Sequence, residues 1–101
     1  MDARSAAPRD WASALPADGV EIVAGMVIET VPGRAPAVAI RLAREEGLEL
    51  VGGDGNQRIA AVWTASSGKS LMQQAENLLE QDDEILGLFP TFMGRADEAG
   101  A

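Results

Sequence analysis

Cysteine and histidine are both absent from this chain. Without cysteine there is no disulfide, no thiol nucleophile and no thiolate metal site. Without histidine the usual general base and the commonest metal ligand are missing. Catalysis would have to rest on carboxylates, Lys69, arginine or hydroxyls, so the chain reads as a non-enzyme with no metal and no cofactor. Positive charge is scarce as well: eight Lys or Arg stand against sixteen Asp or Glu, a net charge of −8. Nucleic acids and anionic membranes need basic partners. Both are therefore set aside, and cationic partners are favoured, although solubility alone would also account for an acidic surface. Aromatic residues are only 4% of the chain, which makes the core aliphatic. No apolar run approaches the roughly 18 residues of a membrane span. The opening MDARSAAPRDWASALP has no continuous apolar stretch of the export-signal kind. The expected location is the cytoplasm.

What is present is ordinary globular material, 47% hydrophobic and 24% charged, in 101 residues that suit one small domain. Residues 1–19, rich in Ala, Asp, Arg and Pro, read as a mobile arm with Trp11 and Leu15 at helical spacing. Residues 20–94 hold the domain, and 95–101 a disordered tail.

Within the domain, EIVAGMVIE at 21–29 predicts a first strand, and Val31-Pro32-Gly33 a turn. Pro36 suits the first turn of a helix, with Val38, Ala39, Leu42 and Ala43 on one face and Gly47 as its stop. LELV at 48–51 alternates as a half-buried strand, GGDGN at 52–56 turns, and RIAAVWT at 58–64 makes a third strand. Ser66 or Ser67 can cap a second helix. Its apolar stripe is Leu71, Met72, Ala75, Leu78 and Leu79, with Gln73 and Gln74 on the wet side. ILGLFPTF at 85–92 is a fourth strand, confined to an edge by Pro90. The order β-α-β-β-α-β is the ferredoxin-like motif: an α+β fold with strand order 4-1-3-2 and two helices on one face of an antiparallel sheet.

Two helices cover one face only, yet the middle strands carry no charge on either side between Glu21 and Glu29 or between Arg58 and Thr64. A solvated antiparallel face normally shows polar residues, and an exposed apolar one marks a binding surface. Glu29 and Thr64, at the strand ends, should point to water. Stepping by two puts Val23, Gly25, Val27, Ala60 and Val62 on the same open face, and Glu49 on the edge adds Val51. The phase of the fourth strand suggests Gly87, Phe89 and Thr91. The bulkier set, Ile22, Ala24, Met26, Ile28, Leu48, Leu50, Ile59 and Trp63, belongs under the helices. Small residues at Gly25 and Ala60 would let another backbone approach closely. A homodimer partner or the N-terminal arm could also cover this face.

Other motifs lead elsewhere and fall short. SSGKS at 66–70 has the end of a phosphate-binding loop, but Trp63 occupies the place of the required glycine. RNA readers of this fold stack bases on middle-strand aromatics, and the predicted open positions of the middle strands have none. An acylphosphatase-like site would need an Asn on the third strand, and Asn56 lies in the turn before it. EQDDE at 80–84 lacks calcium-loop spacing. As a helix end it would welcome a cationic partner.

Four segments together resemble the NapD family. VAGMVIETVP at 23–32 is an apolar strand running to a proline, and EEGLELV at 45–51 follows a helix. DGNQRIAAVW at 54–63 is a turn and an aliphatic strand, and EILGLFPTFM at 84–93 closes the domain. The likeness spans about residues 21–93. It departs at Glu46, where the family has proline, and at Phe92-Met93, where it has Tyr-His. The resemblance implies a cytoplasmic chaperone that binds the twin-arginine (Tat) signal peptide of a molybdoenzyme precursor, the periplasmic nitrate reductase catalytic subunit. It holds the precursor back from export until cofactor insertion, and the peptide docks as a helix. The chaperone would be a monomer or a weak homodimer. Glu29 or Glu49 could pair with the peptide arginines. The other reading is a ferredoxin-like regulatory or small-molecule-binding domain that dimerises through its sheet.

Overall fold

The structure, a computed structural model, describes residues 20–96; the expected N-terminal arm and the last five residues lie outside the described residues. Six elements follow one another: β1 (Ile22–Thr30), α1 (Ala35–Leu42), β2 (Leu48–Gly53), β3 (Arg58–Ala65), α2 (Gly68–Gln81) and β4 (Ile85–Arg95). All strand pairs are antiparallel, and the sheet order is β2-β3-β1-β4. This is the ferredoxin-like arrangement, with β1 and β3 central and the proline-bearing β4 at an edge.

Local chemistry sets the boundaries. Pro36 sits in the first turn of α1, where a missing N–H leaves no bond unmade. Ser67 is the N-cap of α2, its Oγ accepting from the Ser70 N–H at 3.0 Å. Gly47 does not end α1. That helix stops at Leu42 and Ala43 is exposed, and the chain turns through 43–47 before β2. Gly47 serves the start of β2 instead. Its φ of +83° favours glycine, its carbonyl accepts from the Thr64 N–H at 2.7 Å, and a Cβ there would run into the Thr64 carbonyl oxygen.

One core lies between the helices and the sheet. Ile22, Ala24, Met26 and Ile28 of β1 are buried with Ile59, Ala61 and Trp63 of β3. Against them pack Val38 and Leu42 of α1 and Leu71, Ala75 and Leu78 of α2. Each fully buried aliphatic side chain contributes about 1.5–3 kcal/mol relative to exposure. Trp63, 1% exposed, anchors this layer. Its indole N–H donates to Gln74 Oε1 at 3.1 Å, and Gln74 Nε2 donates to Ser70 Oγ at 2.9 Å. Gln74 is thus half-buried and holds the core tryptophan, where helical periodicity put it on the wet side.

The edges are less regular than the sequence suggests. β2 shifts register between Leu50 and Gly52, and β4 shifts twice, opposite Gly25/Met26 and Glu29/Thr30 of β1. Each shift inserts one extra residue into the edge strand and reverses the side-chain phase beyond it. The bulges also carry β4 past the predicted end at Phe92. Gly94 pairs with Val23 and Arg95 with Ile22, so Arg95, expected in the tail, belongs to the strand.

The open face of the sheet as a candidate docking site

Residues directly opposite in an antiparallel pair share a face. Gly25 opposes Val62, Val27 opposes Ala60 and Phe89, Val23 opposes Thr64, and Val62 also opposes Glu49. These residues stand on the side away from the helices, as their spacing predicts. Val23, Val27, Ala60, Val62, Gly87 and Phe89 are half-buried; Glu49, Val51, Thr64 and Thr91 are exposed. The face is therefore apolar across its middle, with no helix among the described residues over it.

Phe89 faces outward by alternation, and the most exposed large side chains lie at or beyond the bulges. Val51 is 59% exposed, at the β2 irregularity. Leu86, 56% exposed, is the extra residue between Ile85 and Gly87. Phe92, 51% exposed, follows the second β4 bulge and pairs with Gly25. Simple alternation from Phe89 would have turned Phe92 under the helices. The extra residue Thr91 turns it outward.

Gly25 is not a vacant floor tile. It is buried, and a Cβ there would stand 2.5 Å from Thr91 Oγ1 and 2.6 Å from Phe92 Cδ2. The Phe92 ring lies on Gly25, a seat that only glycine leaves open. Phe89 leans over Gly87 in the same way: a Cβ on Gly87 would be 2.9 Å from Phe89 Cε2. The close backbone approach expected at Gly25 is filled from within, and only Ala60 remains as a small, uncovered centre.

The two acids expected to meet arginines are unequal. Glu29 stands opposite Arg58, and its Oε2 accepts from Gln57 Nε2 at 3.3 Å. Glu49 stands opposite Val62, and among the described residues no side-chain hydrogen bond or ion pair engages it. Among the described residues neither acid forms an ion pair, and Glu49 is the one that no side chain engages.

The acidic run after α2 has its cation within the chain. Arg41 donates from Nε and Nη2 to Asp82, both at 2.9 Å, and from Nη2 to Glu84 at 2.9 Å; Arg34 Nε reaches Glu84 Oε2 at 2.7 Å. These bonds raise the Arg41 pKa and lower that of Glu84. A concavity of about 490 Å³ lies beside them, and of its charged lining residues Arg34, Arg41, Asp82 and Glu84 pair with one another. Asp54 in the β2–β3 turn accepts three backbone N–H bonds, from Asn56, Gln57 and Arg58, which hold its pKa at about 2. Both groups tie the chain together and leave the open face as the candidate site.

Fold and face together define a ferredoxin-like α+β domain with one largely apolar sheet surface that no described element covers. Comparison with protein-family models, curated proteins and solved structures finds no match for this chain. Among the described residues, no helix is long and apolar enough to cross a membrane.

Proposed function

We propose that this protein is a cytoplasmic, non-enzymatic chaperone. It binds the twin-arginine signal peptide of a molybdoenzyme precursor, of the periplasmic nitrate reductase kind, and delays export until the cofactor is in place. The observation that carries this reading is the apolar open face flanked by Glu49, which no side chain among the described residues engages, on a chain of net charge −8. A peptide with an apolar stretch beside arginines is its chemical complement.

Charge supports a peptide over a second copy of the chain, because two copies of charge −8 repel. An α-helix about 10–12 Å across fits the sheet. Apolar burial, at about 25 cal/mol per Å², supplies most of the affinity. The exposed charge pair adds about 0.2–1 kcal/mol and sets orientation.

Calorimetry with a synthetic twin-arginine signal peptide tests this. Val27→Asp is expected to weaken binding far more than Glu49→Gln. Equal losses would refute that ordering, and no binding by the unmodified protein would refute the function. Co-purification from the native cell, reading which precursor accompanies the protein, identifies the client.

A further inference from the structure

Away from the open face, the turn between β2 and β3 carries an Asp-Gly pair, Asp54 and Gly55. That dipeptide has a reaction of its own. Glycine has no Cβ to shield its backbone nitrogen, so the nitrogen can attack the aspartyl Cγ and close a five-membered succinimide. The bond from Gly55 N to Asp54 Cγ forms, the bond from Cγ to its hydroxyl breaks, and the amide proton leaves with the hydroxyl as water. Water then opens the ring at either carbonyl. Attack at Cγ restores aspartate. Attack at the main-chain carbonyl leaves isoaspartate, whose main chain runs through Cβ and Cγ and is one carbon longer.

Both residues are exposed, and a Cβ on Gly55 would meet nothing within 4 Å, so no neighbour shields the bond. What restrains it is a cradle of hydrogen bonds. Asp54 Oδ1 accepts from the N–H groups of Asn56 at 2.9 Å, Gln57 at 2.8 Å and Arg58 at 2.9 Å, and the Asp54 N–H donates to the Arg58 carbonyl at 3.1 Å. Ring closure turns carboxyl and backbone against each other, and these four bonds resist that rotation. Closure also needs a neutral carboxyl, because hydroxyl leaves and oxide does not. The three donors hold the carboxyl pKa at about 2 instead of 3.8, which makes the neutral form scarcer by roughly 60-fold.

We propose that Asp54-Gly55 is an isomerisation site guarded by the hairpin: the cradle keeps it as aspartate, and isoaspartate forms through the opened turn. The change would reach beyond the turn. The Asn56 carbonyl accepts from the Gly33 and Ala35 N–H groups, both at 3.0 Å, and the Gln57 carbonyl from the Thr30 N–H at 2.7 Å. No side chain caps α1 at Arg34, so the Asn56 carbonyl serves that end of the helix. An added main-chain carbon at position 54 shifts both carbonyls against their donors. It thereby loosens the start of α1 and the end of β1. This chemistry is independent of what the open face binds.

The test follows the full chain near pH 6, folded in buffer and unfolded in concentrated guanidinium chloride. Peptide mapping with an endoprotease that cuts before aspartate but not before isoaspartate reads the product, and mass spectrometry reads the succinimide as a species one water lighter. The other Asp-Gly pair, Asp18-Gly19, lies outside the described residues and serves as an internal clock in the unfolded chain. Both pairs are expected to react at similar rates in guanidinium, and Asp54 at least about tenfold more slowly in the folded chain. Gly53→Ala leaves the pair intact but puts a Cβ 2.5 Å from the Arg58 carbonyl oxygen that holds the Asp54 N–H. It is expected to raise the folded-state rate severalfold and to leave the rate in guanidinium unchanged, with circular dichroism checking that the variant folds. In an Asp18→Glu background, chain isomerised in guanidinium and then refolded is expected to melt below its unmodified form. Equal rates at Asp54 in the folded and unfolded chain overturn the guard. An inert Asp54-Gly55 in guanidinium overturns the reactive site. A Gly53→Ala chain that is folded yet as slow as the unmodified one overturns the opening step, and an isomerised chain that melts with the unmodified one overturns the anchoring of α1.

Discussion

The two faces of this sheet come from the same strands and follow opposite rules. Under the helices, Ile22, Met26, Ile28, Ile59 and Trp63 are large, buried and held in regular register. On the open side β1 and β3 present Val23, Val27, Ala60 and Val62, Phe89 follows from alternation, and the most exposed large side chains, Val51, Leu86 and Phe92, sit at or beyond edge-strand bulges. A packed core is filled by pattern, because a period of two sends every second residue inward. The contrast teaches that here the bulges add to the alternation in giving the free face its shape.

The largest break of this comparison is a truncation on each side. Trp63→Ala removes the biggest buried side chain and is expected to cost about 3–5 kcal/mol in urea denaturation. Phe92→Ala removes a ring that is half in water and is expected to cost about 1 kcal/mol. Equal costs would mean that Phe92 is a core residue in solution, and the open face would lose its character as a surface.

Much of this was legible in the sequence and some was not, for physical reasons. Strand order, helix placement and the inward set follow from periodicity, the position of Pro90 and the ferredoxin-like element order. Ala60, Val62 and Val27 face outward as counted. Phe92 was misjudged because Pro90 signals either an edge or a bulge, and here it marks both: the extra residue Thr91 follows it. Gly25 looked like an opening for a partner because composition cannot say that a neighbouring ring fills the space. Glu29 and Glu49 looked alike because register, not spacing, gives one of them Arg58 and Gln57 as neighbours. The cation for the acidic run was hidden by distance along the chain: Arg41 and Asp82 meet only through the fold. A functional assignment rests on the family likeness and the face together, and the sequence could supply the first but only half of the second.

A finer test of the covered side is Gln74→Leu. It keeps the volume but strands the Trp63 indole N–H in the core, at an expected cost of about 1–3 kcal/mol. Gln74→Glu retains an acceptor and should cost less. If the two match, the hydrogen bond does not hold the tryptophan.

Glycines sharpen the contrast further. An added methyl at Gly47 meets the backbone carbonyl of Thr64 at a φ of +83°, where nothing can yield, so Gly47→Ala is expected to cost about 1–3 kcal/mol. The methyl at Gly25 meets side chains of Thr91 and Phe92 at an open surface. The ring can swing away, so Gly25→Ala is expected to cost about 1 kcal/mol or less while displacing Phe92. A larger loss at Gly25 than at Gly47 would mean that the Phe92 seat is rigid.

The smallest expected effect is in acid, at the turn that ends β2 and begins β3. Three backbone N–H groups converge on the Asp54 carboxylate and depress its pKa from the ordinary 3.8 to about 2. A depressed folded-state value means that the ionised group stabilises the fold above its unfolded pKa. That contribution is lost as pH falls through the folded one. The window is therefore about pH 4 to about pH 2. Asp54→Asn keeps one acceptor oxygen but no charge, so it is expected to melt slightly below the unmodified protein near pH 6 and to converge with it near pH 2. The group is fully exposed, so the difference should be modest and should shrink with added salt. Melting curves that run parallel from pH 6 to pH 2 would show that the turn does not use the charge. The hairpin joining the edge strand β2 to the floor strand β3 would then be held by its backbone bonds alone.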